Sequence, residues 1–445
     1  MPKAIYLDKD PINKLFYKFA IPSCLATLVN AMYVVVDGVF ITRGVGSEGI
    51  AAVNIGYPLI NLAAAISLMF GMGGATLISI RNDDIKYKNK CFSYIILLNL
   101  ICYLIVASAV FLYTKPIMEF MGATPKLLPM VKGYMYPCTM ATFFLMISIS
   151  LNAVVRNDNA PRHAMISVLL GAAINVVLDY VFIFQMNLGI KGGAYATAIG
   201  QIISAIYLCK HFIGSTFKFS FSLKDFDFFI VKKIFSIGFS SFVLEFGVVV
   251  ITVLLNIVLM DHIGILGASA YGIISYSFVV LRMLFTGLAQ GIQPIVSFNY
   301  GINNMTRVRA TFWYAQKVSF ILGIIALILT KILAVPIVHL FTKEQGPLIS
   351  LTAHGLFLYT SAVVFMGANF INISYLQSME KAAISNTISL LRGVVFVFIA
   401  LKVLPPLLGV DGIWLGLPAA DVMAFVVSVI WFHYIHINPK IVYER

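Results

Sequence analysis

Two aspartates, Asp37 and Asp179, sit deep inside apolar stretches long enough to cross a bilayer, and no lysine or arginine shares their depth in that half of the chain. A charge at the bilayer centre costs roughly 2.5–3.5 kcal/mol on insertion scales, so it commonly marks an ion or substrate path. Asn175 precedes Asp179 by four residues and shares its helix face, as Tyr33 does for Asp37. At a helical rise of about 1.5 Å per residue, Asp179 lies roughly 24 Å from the start of its stretch. Thr197 lies roughly 10 Å below the opposite face, and Asp37 about 20 residues into the first stretch. All fall in the outer half of the membrane. Two carboxylates, an amide oxygen and a hydroxyl at one level form an oxygen-rich cage, suited to Na⁺ or to a proton shared between the acids. The plainer alternative is that each acid only hydrogen-bonds to neighbouring helices.

The second half carries a different set. Glu245, Arg282, Arg392 and Asp421 fall in the seventh, eighth, eleventh and twelfth stretches. Two acids meet two bases, so this half can neutralise itself, and a polar network around Arg282 and Arg392 is expected. Glu245 could still face a cavity and touch a cationic substrate. Lys331, towards the outer end of its stretch, is expected to snorkel. Pro22 is expected to interrupt the first span and supply a bending point. Gly287 with Gly291, and Gly412 with Gly416, are small-xxx-small pairs that let helices approach closely.

These residues need a membrane scaffold, and the composition supplies one. Of 445 residues, 60% are hydrophobic and 11% charged, far less charge than a soluble domain carries. Apolar runs of about 20 residues, enough to span roughly 30 Å of hydrocarbon, begin near positions 15, 50, 92, 131, 163, 190, 233, 268, 317, 353, 383 and 411. Alternating ten-residue segments of a β-barrel are not seen. The net charge of +13 is topological: with the N-terminus inside, twenty-one lysines and arginines fall in cytoplasmic loops and span ends, Arg156 among them, against seven outside. Both termini are therefore expected in the cytoplasm, and no nucleic-acid partner is expected. The polar start carries no cleavage-site pattern, so the first span is expected to be retained. Five scattered cysteines offer neither a disulfide framework nor a zinc spacing. His433 and His436 read as interfacial polar residues, and Asp83-Asp84 as solvated loop charge.

The chain repeats itself at a spacing of 218–222. Gly46, Gly49 and Ala52 match Gly264, Gly267 and Ala270. Tyr57 and Leu62 match Tyr276 and Leu281, the run 166–171 matches 388–393, and Gly189 and Gly192 match Gly409 and Gly412. Six spans per repeat is even, so the halves enter the membrane in the same orientation, related by a pseudo-twofold axis along its normal. The expected fold is all-α and polytopic, with twelve transmembrane helices in two six-helix lobes around a central cavity. The expected division is residues 1–215, a cytoplasmic amphipathic linker 216–232 rich in Phe and Lys, and residues 233–445.

The two lobes, Pro22 with Asp37, and the run Asn175-Val176-Val177-Leu178-Asp179 resemble the multidrug and toxic compound extrusion (MATE) family. So do Gly189-Ile190-Lys191-Gly192-Gly193-Ala194, Gln290-Gly291-Ile292-Gln293-Pro294 and Gly412-Ile413-Trp414-Leu415-Gly416-Leu417-Pro418. The likeness covers nearly the whole chain and is similar in pattern to the MepA-like branch. It implies a transporter, not an enzyme, with no cofactor: an antiporter of the bacterial cytoplasmic membrane that exports small organic cations in exchange for H⁺ or Na⁺. The family's first-lobe cation site maps onto Asp37, Asn175, Asp179 and Thr197. Some members pair a seventh-span glutamate with a tenth-span aspartate; Glu245 matches the first, but the tenth span offers only Asn369 and Asn372. Membrane lipids are the expected surroundings, and a monomer is the expected state. The alternatives are a lipid-linked saccharide flippase of the same superfamily and, in another class, a membrane-embedded polyprenyl-phosphate enzyme. The unpaired first-half acids speak against an anionic diphosphate cargo, and the longest connection, about 22 residues, leaves little room for a catalytic loop.

Overall fold

The structure is a computed structural model that describes residues 5–121, 123–214, 226–341 and 346–437. No strand occurs among them. Among the described residues eleven helices are long and apolar enough to cross a membrane, and a shorter apolar helix, Gly416–Phe432, supplies the twelfth span. Helices are the form such segments must take, because lipid offers no partner for an unpaired backbone N–H or C=O. The spans are α1 (Ile12–Val45), α2 (Ser47–Ile80), α3 (Ile85–Leu112), α4 (Leu128–Asn157), α5 (Pro161–Gln185) and α6 (Ile190–Gly214). The second set is α7 (Phe228–His262), α8 (Ile265–Gly301), α9 (Met305–Phe341), α10 (Pro347–Ser378), α11 (Ala382–Leu408) and α12 (Gly416–Ile437). This is a multi-pass membrane protein.

The internal repeat has a backbone cause. Gly46 and its match Gly264 open α2 and α8 with φ of 95° and 72°, and Gly189 and its match Gly409 have φ of 59° and 60°. A Cβ disfavours that left-handed region, so glycine is the residue that lets each hairpin turn at corresponding places.

The halves meet where α1 lies against α8 and α2 against α7. A Cβ on Gly287 would fall 2.5 Å from Cys24 Cα, and one on Gly291 2.7 Å from Ala20 Cα. Gly73 and Gly238 permit an equally close approach of α2 to α7, against the Ile234 and Met69 carbonyls. These contacts sit in the halves of the helices nearest the N-terminus of the chain, where Leu7 and Asp10 are tied to Arg307 and Asn299. That face of the membrane is closed. Towards the opposite face the halves part around a cavity of about 1430 Å³, reaching Phe120, Met121 and Phe341.

Several local expectations are changed by the structure. Pro22 does not interrupt α1, which runs through it as one helix of 34 residues with the ring buried. Lipid and neighbouring helices leave no cheaper place for a break. Asp84 caps α3, accepting from Tyr87 N at 3.0 Å, so it belongs to a helix start rather than to free loop. Lys331 is exposed, with Nζ 5.4 Å from the Phe357 ring centroid. Most of the linker 216–232 and the side chains of His433 and His436 lie outside the described residues. Beyond the linker's undescribed part, Phe226, Phe228 and Phe229 are exposed, and α7 begins at Phe228, inside the expected linker rather than at 233.

Candidate functional site

The four residues gathered by depth come together in the first half. Asp37 sits on α1, Asn175 and Asp179 on α5, Thr197 on α6. Close packing positions them: a Cβ on Gly200 would lie 2.8 Å from Gly171 O, so α6 is pressed onto α5 one turn from Asn175 and Thr197. Gly193 brings α6 against Ile41 of α1. Asp179 is the last residue before a π-helical segment, Tyr180–Gln185, a local underwinding of the kind that often accompanies functional sites.

The geometry forms a continuous polar chain. With the Asn175 amide turned to suit its neighbours, Nδ2 donates to Asp179 Oδ2 at 3.2 Å. Its Oδ1 then accepts from both the Thr197 hydroxyl and the Thr197 backbone N–H, each at 3.2 Å. The Asp37 and Asp179 carboxyls lie within hydrogen-bonding reach of each other. Asp179 is fully buried and Asp37 is 9% exposed. Oδ1 of each acid has no donor among the described residues. Carboxylates only accept hydrogen bonds, so two that meet must share a proton or a cation.

Asp37, Tyr33, Asn175 and Thr197 all line the large cavity, which gives the cage a route to solvent. Tyr57, named above only as a repeat position, lines it as well, as do Tyr134 and Cys138, which were not singled out from the sequence. Tyr134 and Cys138 are four apart on α4, the same spacing that links Tyr33 to Asp37, and that was the available signal.

The second half pairs its charges, as the balance of acids and bases suggested. Arg282 Nη1 donates to both Glu245 oxygens at 3.2 Å in the cavity wall. Arg392 Nε donates to Asp421 Oδ1 at 2.5 Å, out of reach of the main cavity, and its guanidinium stacks over Phe370. Asn369 completes this group by donating to Asp421 Oδ1 at 3.1 Å, while Asn372 accepts from Gln316 at 2.6 Å. A second π-helical segment, Leu391–Val395, contains Arg392. Among the described residues no group of three or more His, Cys, Asp or Glu could hold a metal ion.

One residue counted with loops and span ends is buried. Arg156, near the end of α4, is 4% exposed and lines the closed end of the cavity. Position alone counted it among the cytoplasmic loop and span-end charges; the packing of α8 against the first half covers it.

The MatE family model matches the chain twice, over residues 22–181 and 241–401. The chain belongs to the MatE family. The two matches fall in the two six-helix halves. Among curated proteins it is similar to the multidrug export protein MepA of Staphylococcus haemolyticus, 26% identical over 428 residues that cover 94% of this chain and 93% of that one. MepA of Staphylococcus aureus strain MRSA252 is 24% identical over 431 residues, covering 96% and 94%. Among solved structures, MATE in complex with MaD3S superposes with a TM-score of 0.89 at 20% identity, covering 97% of both chains. An outward-facing multidrug resistance MATE family transporter gives 0.85 at 21% identity, again over 97% of both. MatE proteins are transporters, not enzymes.

Proposed function

We propose that this MatE protein is a cation-coupled antiporter. It exports organic, largely cationic compounds across the bacterial cytoplasmic membrane in exchange for H⁺ or Na⁺, with its termini inside. Asp37, Asn175, Asp179 and Thr197 form the coupling site. The observation that carries this reading is the meeting of two buried carboxylates with one undonated oxygen each. Two like charges about 4 Å apart repel by about 4 kcal/mol at an effective dielectric of 20, and one bound cation removes that repulsion. The site is thus an energy difference that a proton or Na⁺ can switch.

The cargo follows from the cavity. Its 1430 Å³ exceeds the roughly 300–1,000 Å³ of ordinary ligand pockets. Met32, Met283, Phe246 and Tyr276 give it a soft wall that can repack around different shapes. Glu245, its side chain partly exposed in that wall, attracts a cationic group. The relatives named as multidrug export proteins agree with this cargo. In the cycle, cation binding from the open face reshapes the first lobe around Asp37 and Asp179, with α1 yielding near Pro22, and the compound leaves. Residues 1–215 and 233–445 then move as the two bodies of alternating access, joined by 216–232.

The test is uptake of a fluorescent organic cation by inside-out vesicles, with proton and sodium gradients imposed separately and Asp37→Asn as control. One gradient should drive uptake in the wild type and neither in the variant. Gradient-driven uptake that persists in correctly inserted Asp37→Asn protein would remove the coupling site from these residues.

A further inference from the structure

Three arginines are drawn into the body of the molecule, and their surroundings differ. Arg282 faces Glu245 and Arg392 faces Asp421. Among the described residues Arg156 faces no carboxylate. Its Nη1 donates to the neutral Gln290 Oε1 at 2.9 Å, its Nη2 reaches Met72 Sδ at 3.7 Å, and its Nε is buried with no acceptor among them. A buried guanidinium without a counter-charge is costly, and an incoming anion would relieve that cost.

The position suits a ligand. Arg156 and Gln290 line the floor of the cavity, the end sealed by the close packing of α1 on α8 and α2 on α7. Beneath them Asn157 Nδ2 donates to Gln293 Oε1 at 3.1 Å, and Gln293 donates to Thr76 Oγ1 at 2.8 Å, so the donors of the layer below are already engaged. Arg156 follows Cys138 by eighteen residues on α4, a rise of about 27 Å from the level of the acid cage. An anion at the floor therefore does not compete with the coupling cation for space. Along α8, Arg282 precedes Gln290 by eight residues, about 12 Å of rise, so the Glu245–Arg282 pair overlooks the floor from the opposite lobe.

We propose that Arg156 is an anion-recognising residue of the substrate cavity, and that the cavity accepts zwitterionic amphiphiles whose carboxylate docks on Arg156 while their cationic body occupies the apolar chamber above. This rests on the export reading given above and names a second charge its cargo can carry. The guanidinium fork matches a carboxylate in a way an ammonium does not.

The experiment uses the full-length protein in detergent and two cationic xanthene dyes that differ only in a carboxylate left free or methyl-esterified. Binding of both is followed by fluorescence anisotropy. Wild type binds both. Arg156→Gln loses about tenfold or more in affinity for the free acid, the scale of one charge-assisted contact, and keeps its affinity for the ester. Arg156→Lys recovers part of the loss, and Gln290→Leu, which keeps the guanidinium but removes its contact across the lobes, leaves the ratio of the two affinities unchanged. The ester reports folding within each sample. Equal losses for both dyes in Arg156→Gln, or no loss for either, would overturn the assignment and leave Arg156 as an inter-lobe contact. Wild-type protein that binds neither dye would instead sink the export reading, and this inference with it.

Discussion

The two halves share a fold and a repeat but handle buried charge in opposite ways. In the first half, Asp37 and Asp179 face each other beside the Asn175 amide and the Thr197 hydroxyl, and each keeps an oxygen without a donor among the described residues. In the second, Glu245 and Asp421 each have an arginine, and Asn369 fills the remaining valence at Asp421. A pair that is already neutral gains little from a cation, whereas two facing carboxylates gain a great deal. On the coupling proposed above, the same scaffold would hold one half that responds to an ion and one that does not.

The largest expected effect breaks that contrast at its acidic end. Asp37→Asn or Asp179→Asn should reduce gradient-driven transport to the vesicle background, while the melting temperature holds or rises because a like-charged contact is gone. Equal transport in either variant would remove the distinction between the halves.

Next is the paired end. Arg392→Leu leaves Asp421 buried without its partner, and thermal or denaturant unfolding in detergent should show a loss of about 3–5 kcal/mol. The double change Arg392→Leu with Asp421→Leu should restore most of it. A single variant as stable as the wild type would mean the pair is not structural. A smaller effect is expected at Glu245, whose partly exposed pairing with Arg282 is screened. Glu245→Gln should weaken binding of an organic cation about threefold, on the order of one exposed charge contact, and leave ion dependence in place. Smallest is Lys331→Gln, at an exposed position over Phe357, which should shift the melting temperature by about 1 °C or less and leave transport unaltered.

Much of this contrast was legible in the sequence because buried charge is rare in a membrane chain. Depth counting alone brought Asp37, Asn175, Asp179 and Thr197 to one level, and the charge balance of Glu245, Arg282, Arg392 and Asp421 implied their pairing. The repeat announced the matched glycines Gly46 with Gly264 and Gly189 with Gly409, since a positive φ leaves few alternatives to glycine. What was not legible depends on contacts between distant segments. The π-helical turns at Tyr180 and Leu391 leave no mark in hydrophobic periodicity. Pro22 reads as a break, yet α1 runs through it with the ring buried against neighbouring helices. Arg156 reads as a span-end cation because the helix that buries it, α8, lies more than a hundred residues away. Tyr134 and Cys138 had a usable spacing but no charge to draw notice.

The most direct test of the central claim is equilibrium binding of a fluorescent organic cation to the purified protein, titrated separately with H⁺ and Na⁺. The wild type should lose dye affinity as one of the two ions rises. That dependence should vanish in Asp37→Asn and in Asp179→Asn and persist in Glu245→Gln and in the Arg392→Leu, Asp421→Leu double variant. An ion dependence that survives loss of both first-half acids, or that disappears with the second-half charges, would contradict the account.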